Sequence, residues 1–501
     1  MSGKARIDLL PLGASIEVGI GSSLDTALSP HGIEFPCGGG GICRGCRVRV
    51  LAGRLAITPE MELVFTPAEL AAGWRLACRA QVEGPLALEV AQWGTPVLAD
   101  DSPVAVEPAD GAGIAVDLGT TTVVLQLVDL ASGDVLAVRT ALNPQAVHGA
   151  DVMSRIKFAQ DGGADLLTGS IRRTLGAMIA ELPTNRPVRA AVLAGNTAMH
   201  HLFCGIDVAP LAHAPFRPVQ DGGQTLRADD LGWQLPLSVG VHFLPCLGGF
   251  VGSDVLAGIV ATGMAGSSGL CALIDLGTNG EIVVGNAERL LCASTAAGPA
   301  FEGGRIRHGM RAATGAIARV TIRGNGLECR VLGESPPRGI CGSGLVDAVA
   351  AGLRLGAIGA DGRMGGGAAE LPLLGPVGLT QADVRELQLA KAAIAAGLRI
   401  LTEQWGAGLG DLQQVYLAGA FGNYLDPASA RRIGLIEVEP SRLRPVGNAS
   451  LRGVKMQMLR PSQRETWITG TCARTEHVSL AADPRFAEVF VDCLGFPEDE
   501  G

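Results

Sequence analysis

Apolar and polar positions alternate in short bursts near the N-terminus, at Ile7 and Leu9 and again at Ile16, Val18 and Ile20. A period of two predicts half-buried strands. The same pattern predicts strands over residues 47–51 and 86–90, with a short helix near 24–29. From residue 94 to 113 neither period persists, and Thr95-Pro96, Asp100-Asp101-Ser102-Pro103 and Glu107-Pro108 predict a connector. Beyond it the strands become continuous apolar runs. Ile114-Ala115-Val116 ends in Asp117-Leu118-Gly119-Thr120-Thr121-Thr122, and Ala272-Leu273-Ile274 ends in Asp275-Leu276-Gly277-Thr278-Asn279-Gly280. Each run continues into a second strand, a turn (Ser132-Gly133-Asp134 or Asn286-Ala287-Glu288) and a third strand. The two aspartates lie 158 positions apart, which predicts a duplicated α/β lobe. Residues 379–406, rich in Ala and Leu, predict a long amphipathic helix on the second lobe.

Residues 255–274 are uncharged over a length that would span a bilayer. Gly263-Met264-Ala265-Gly266-Ser267-Ser268-Gly269 interrupts them, so a helix, a turn and a buried strand are expected instead. The first eight residues lack the apolar core of a secretory signal, and a cytoplasmic protein with reduced cysteines is expected. A hydrophobic content of 47% excludes disorder. The net charge of -9 provides no basic face, so neither nucleic acid nor a membrane is expected as a partner.

Four of the twelve cysteines cluster as Cys37-x5-Cys43-x2-Cys46 with Cys78 further on. The run Pro36-Cys37-Gly38-Gly39-Gly40-Gly41 removes side chains that would keep amide N–H groups from enclosed sulfurs, as an iron–sulfur cluster requires. Structural zinc sites usually show two short Cys pairs, and here there is one. The spacing resembles the plant-type ferredoxin run with one extra residue between the first two ligands, which implies a single [2Fe-2S] cluster. The strand pattern of residues 1–93 resembles the β-grasp of ferredoxins. The remaining cysteines, Cys204 to Cys493, stand singly and read as small buried side chains.

An acid at a strand end beside a Gly-Thr turn offers amide and hydroxyl donors to phosphate oxygens, with the carboxylate facing Mg2+ or its waters. Two such turns in register across a duplication strengthen the signal. Val415-Tyr416-Leu417-Ala418-Gly419-Ala420-Phe421-Gly422 adds a strand and a glycine turn against which a nucleoside can lie. Asn196 and Thr197 read either as a helix cap or as substrate contacts. His200 and His201, being adjacent, point apart on a helix and do not read as metal ligands, nor does His148. Lys391 is open between a nucleotide contact and a solvated head group, and Arg305, Arg307, Arg311 and Arg319 form no continuous patch.

The two Asp-Leu-Gly-Thr loops and the Gly-Ala-Phe-Gly turn resemble the phosphate-1, phosphate-2 and adenosine motifs of the superfamily of acetate and sugar kinases, heat-shock chaperones and actin. An N-terminal ferredoxin joined to that fold resembles the reductive activators of corrinoid proteins. Asn143-Pro144-Gln145, Gly149-Ala150-Asp151-Val152-Met153-Ser154-Arg155, Ala297-Gly298-Pro299-Ala300-Phe301-Glu302, Ile340-Cys341-Gly342-Ser343-Gly344 and Glu476-His477-Val478 fit that family. The resemblance implies a multidomain α/β protein: a β-grasp [2Fe-2S] ferredoxin-like domain (1–93), a linker (94–112), and two ribonuclease-H-like lobes (113–265 and 266–501), the second carrying the adenosine motif. It implies ATP with Mg2+ at Gly119, Thr120, Thr121, Thr122, Gly277, Thr278, Asn279, Gly280, Gly419, Ala420 and Gly422, with Asp117 and Asp275 catalytic. Cys37, Cys43, Cys46 and Cys78 would hold the cluster. The implied task is ATP-dependent, one-electron return of cobalt(II) to cobalt(I) in a corrinoid protein, either a methyltransferase component or methionine synthase. An upstream low-potential donor would supply the electron, and the resemblance leaves room for a homodimer. The residues also admit a small-molecule kinase with a regulatory ferredoxin, and a ferredoxin-type carrier whose ATP fold is a non-catalytic scaffold. The intact loops weigh against the last.

Overall fold

In a computed structural model, the chain is described at residues 3–10, 14–28, 41, 46–90, 100, 102–149, 151–183, 186–236, 238–277, 279–324, 326–333 and 335–498. The N-terminal alternation becomes β1 (Lys4–Leu10) and β2 (Ala14–Gly19), followed by α1 (Leu24–Leu28), β3 (Arg47–Ala52), α2 (Pro59–Val64), α3 (Pro67–Ala71), β4 (Trp74–Leu76) and β5 (Leu86–Val90). The sheet order is β2-β1-β5-β3-β4, with β1 and β5 parallel and the other pairs antiparallel, the arrangement of a β-grasp. Ala5, Ile7 and Leu9 of β1 point inward to join Leu24, Val48, Leu76 and Leu88 in one core. Burial of each large aliphatic chain contributes about 1.5–3 kcal/mol. Ile20, expected on the buried face of its strand, instead follows the end of β2 and is 46% exposed, because the chain turns there into Gly21.

The first lobe contains β6 (Ala112–Leu118), β7 (Thr122–Asp129), β8 (Val135–Leu142), α4 (Val152–Phe158), α5 (Ala164–Ala180), β9 (Val188–Gly195), α6 (Thr197–Cys204), β10 (Gln224–Arg227), β11 (Gly240–Phe243) and α7 (Ser253–Thr262). The second begins with β12 (Cys271–Leu276), β13 (Gly280–Gly285) and β14 (Leu290–Thr295). An insertion follows, with β15 (Ala316–Arg323), β16 (Gly326–Val331), β17 (Gly339–Ile340), α8 (Gly342–Arg354), β18 (Glu370–Leu374) and β19 (Val377–Thr380). The long helix α9 (Gln381–Trp405) leads to β20 (Gln414–Ala418), α10 (Gly419–Tyr424), α11 (Pro427–Arg432), β21 (Leu443–Gly447), α12 (Ala449–Leu459), α13 (Pro461–Arg474), β22 (Thr475–His477) and α14 (Phe486–Asp492).

The two large sheets share one topology. Their orders are β11-β9-β6-β7-β8, with β10 added beyond β11, and β21-β20-β12-β13-β14, with β22 added beyond β14. In each, the first strand lies between an antiparallel second strand and a parallel fourth, which is the ribonuclease-H order. The duplicated motif therefore corresponds to a duplicated sheet.

Contacts divide the chain into two units. One holds residues 1–96, 146–154 and 298–388; the other holds 97–145, 155–297 and 389–501. In the first unit Glu89 of β5 pairs with Arg338 of the insertion and lies 3.8 Å from Arg49. In the second, the described part of the expected connector is folded onto the lobe. Val104 and Val106 pack with Leu130, Met458 and Leu459, and the Glu107 amide donates to the Leu459 carbonyl at 2.9 Å. Lys455 Nζ, on α12, donates to the Asp100 carbonyl at 2.6 Å and forms an ion pair with its carboxylate at 2.5 Å, both side chains buried. Proline-rich composition masked this attachment, because a strap held by side chains of another segment needs no period of its own.

Candidate functional site

The second unit brings together the two Asp-Leu-Gly-Thr segments. Each forms a tight hairpin closed by its own glycine amide, Gly119 N–H to the Thr122 carbonyl at 3.1 Å and Gly277 N–H to the Asn279 carbonyl at 3.0 Å. Asp117 is the penultimate residue of β6 and Asp275 holds the same place on β12. Behind the first hairpin, three successive carbonyls are held. Asn143 Nδ2 donates to Gly119 O at 2.9 Å, Arg155 Nη2 to Thr120 O at 2.5 Å, and the Asn143 amide to Thr121 O at 2.8 Å. In a trans peptide the N–H opposes the C=O. The amides of Thr120, Thr121 and Thr122 are thereby directed away from that bracket, the form of an anion-binding nest. Asn196 is the helix cap that was one of its two expected roles: its Oδ1 caps α6 by accepting from Met199 N at 3.0 Å, while its Nδ2 donates to Thr120 Oγ1 in the hairpin at 2.7 Å.

Four carboxylates belong to this site: Asp117, Asp254 at the start of α7, Asp275, and Glu281, which stands opposite Asp275 in the β12–β13 register. Asp117 accepts from Asn448 Nδ2 and Ser450 Oγ, each at 2.9 Å. Burial raises the Asp117 carboxyl against those two donors. Burial first, then the charge of Asp117, lifts Asp275 to about 7. Burial, with Asp275 and Asp117 contributing, lifts Asp254 to about 7, and Glu281 is raised well above its ordinary range by burial and by Asp254 and Asp275. Among the described residues no lysine or arginine forms an ion pair with any of the four, and no three His, Cys, Asp or Glu converge tightly enough to hold a metal unaided. Uncompensated hard oxygen donors of this kind suit Mg2+ held through waters and phosphate oxygens.

Gly419 opens α10 at a φ of +84°, where an added Cβ would lie 2.7 Å from Asp275 Oδ1 and 2.9 Å from the Leu276 carbonyl. The glycine turn thus lies directly against the second hairpin, and Gly422 packs over Leu417. Asn279 and Gly280 complete that hairpin; Thr278 lies outside the described residues, as does the side chain of Ala420.

Of the cluster cysteines, Cys37 and Cys43 lie outside the described residues. Cys46 precedes β3 and Cys78 lies in the turn after β4; the Ala77 amide donates to the Cys46 carbonyl at 3.1 Å, and both cysteines are buried at the edge of the ferredoxin core. Gly41 has a φ of +74°, a conformation that residues with a Cβ rarely adopt, and a Cβ there would come within 2.7 Å of Arg79 Nε. Two buried cysteines brought together at the ends of the paired strands β3 and β4 fit a shared cluster.

Other singled-out residues have different roles. Lys391 is buried, donates to the Gly495 carbonyl and lies 5.4 Å from the Phe496 ring centroid; burial lowers it to about 8. Neither sequence reading placed it on the C-terminal segment. His200 and His201 are fully buried, their Nδ1 atoms 3.3 Å apart, with His201 Nδ1 2.9 Å from the Thr197 carbonyl. Arg305, Arg307 and Arg319 face separate acids, Glu386, Glu370 and Asp347. Sequence reasoning missed Asp254, Glu281, Asn448 and Ser450. An acid in the apolar strand Gly280-Glu281-Ile282-Val283 was the available signal, since cross-strand pairing puts it beside Asp275.

A ferredoxin-type domain joined to two ribonuclease-H-like lobes with paired Asp-Leu-Gly-Thr hairpins defines a class: iron–sulfur proteins built on the fold of sugar kinases, heat-shock chaperones and actin. Comparison with known proteins narrows it. Residues 7–83 match the 2Fe-2S iron-sulfur cluster binding domain, 112–267 the RACo middle region, and 269–501 the C-terminal domain of RACo, the ASKHA domain. The chain is 37% identical over 414 residues to the corrinoid activation enzyme RamQ of Eubacterium limosum, covering 76% of this chain and 69% of that one. It is 29% identical to the [Co(II) methylated amine-specific corrinoid protein] reductase of Methanosarcina barkeri, covering 77% of each. A solved reductive activator for corrinoid, iron-sulfur protein superposes with a TM-score of 0.71 at 28% identity, covering 99% of this chain and 98% of that one. The chain belongs to the family of reductive activators of corrinoid proteins. No helix among the described residues is long and apolar enough to cross a membrane.

Proposed function

We propose that this protein is an ATP-dependent reductive activator that returns a cobalt(II) corrinoid to cobalt(I) in a methyltransferase system. The observation that carries the reading is the pair of phosphate hairpins, related by lobe duplication and flanked by four carboxylates, in a chain that begins with a ferredoxin domain. When bound by Cys37, Cys43, Cys46 and Cys78, a [2Fe-2S] cluster supplies a one-electron carrier near about -400 mV. Each 59 mV of one-electron mismatch shifts the equilibrium by about a factor of ten, so an uphill transfer needs a second source of free energy. The hairpins Gly119–Thr122 and Gly277–Gly280 hold the phosphates, Asp117 and Asp275 hold Mg2+ or its waters, and the Gly419–Gly422 turn receives the adenosine. Nucleotide binding drives transfer if it changes affinity for one redox state of the partner. The relatives named for corrinoid proteins support the same partner class, a methyltransferase component or methionine synthase, with a low-potential donor upstream. We assign the protein to the cytoplasm.

The test mixes the purified protein, a strong reductant and a cobalt(II) corrinoid protein, with and without ATP. The cobalt(I) spectrum is expected only with ATP. Reduction at full rate without nucleotide overturns the reading.

A further inference from the structure

Among the described residues, Arg155 is the bulkiest fully buried side chain. Carrying a guanidinium into an interior is costly, and such groups are retained where their donors are used in a fixed geometry. Here Nη2 donates to the carbonyl of Thr120 at 2.5 Å, and Nη1 donates to Gln145 Oε1 at 3.3 Å and lies 3.6 Å from Met199 Sδ. Gln145 is fixed in turn: its amide donates to Asn143 Oδ1 at 3.0 Å and its Nε2 to the Leu167 carbonyl at 3.1 Å. Asn143 holds the carbonyls on either side of Thr120. The middle peptide of the hairpin is thus held by Arg155, and the outer two by Asn143.

We propose that Arg155 is a positioning residue for the phosphates of ATP. By fixing the Thr120 carbonyl behind the hairpin it aims the Thr121 amide forward, and it places a permanent positive charge beneath the loop, on the side away from the ligand. It touches no substrate atom. The inference rests on reading Gly119–Thr122 as a phosphate loop and adds to that reading a residue outside the loop. The segments Asn143-Pro144-Gln145 and Ser154-Arg155, whose chemistry the sequence left unassigned, then have one shared purpose, a rigid back wall for three successive peptides.

The test titrates the full-length protein, parent and Arg155→Met, with ATP and separately with adenosine. Adenosine reports the glycine turn at Gly419–Gly422 without the phosphates. Loss of a charged hydrogen bond predicts ATP binding weakened by about ten- to a hundredfold, with adenosine binding within about twofold and the visible spectrum unchanged. Arg155→Lys keeps the cation but not the fork and should fall between; it carries the same comparison should the methionine variant fail to fold. Equal losses for ATP and adenosine in the folded variant, or no loss for ATP, overturn the proposal. A parent that binds adenosine but gains nothing from the phosphates of ATP overturns the phosphate reading and this proposal with it, whereas a parent that gains affinity alongside an indifferent Arg155→Met overturns this proposal alone.

Discussion

Replacing Asp275 with asparagine is expected to stabilise the nucleotide-free protein while abolishing ATP turnover. Burial and Asp117 raise the Asp275 carboxyl from 3.8 to about 7. Between those values the folded state holds a proton that the unfolded chain releases, so stability falls as pH rises through about 4 to 7 and stays reduced above that window. At about 1.4 kcal/mol per pH unit the interval sets a ceiling of about 4 kcal/mol. The side chain is partly open to water, which screens the charge and leaves about 1–2 kcal/mol, a rise in Tm of about 3 °C for the neutral variant. Calorimetry of parent and Asp275→Asn between pH 5 and 8.5, free of Mg2+ and nucleotide, should show a gap that widens towards pH 7 and then levels. Adding Mg2+ and ATP should stabilise the parent more and close the gap. A variant that unfolds at or below the parent's temperature at pH 8, or a gap indifferent to pH, refutes the idea that this carboxylate is held against its own repulsion for the sake of a bound cation and phosphate.

Cys78→Ser should remove the visible absorption of the oxidised protein and the electron delivery with it; persistent colour and iron would show that Cys78 is not a ligand. Gly419→Ala places a methyl group against Asp275 and the Leu276 carbonyl at a positive φ, a strain of about 1–3 kcal/mol, and should raise the KM for ATP while leaving the visible spectrum untouched. Lys455→Met leaves the Asp100 carboxylate buried and unpaired, which should lower stability by about 3–5 kcal/mol in urea titrations; adding Asp100→Asn should recover most of it, and a double variant no better than the single one would mean the pair is not what holds the strap.

The duplicated lobes were legible because continuous apolar runs ending in Asp-Leu-Gly-Thr occur twice, and both sheets repeat one strand order. The long helix was equally plain, expected at 379–406 and found at Gln381–Trp405. What escaped was whatever depends on a distant partner. Asn448 and Ser450 reach Asp117 from more than 300 positions away in the chain, with nothing local to announce them. The insertion is built from strands such as Gly326–Val331 whose burial alternates weakly and which pair within their own small sheet, so no strong period marks its limits. Lys391 was ambiguous for the opposite reason: a long aliphatic stem with a cationic tip suits several settings, and only the chain's return at Gly495 decides between them.

Strapping the connector to α12 fixes where the chain enters the second unit. Because Lys455 grips Asp100 and Glu107 is bonded to Leu459 and Ser462, residues 102–109 follow a path set by α12 and the start of α13. Extra residues spliced in after Asp100 would bulge harmlessly from the ATPase surface. Added length in this stretch is therefore taken up at the surface without disturbing the buried ion pair.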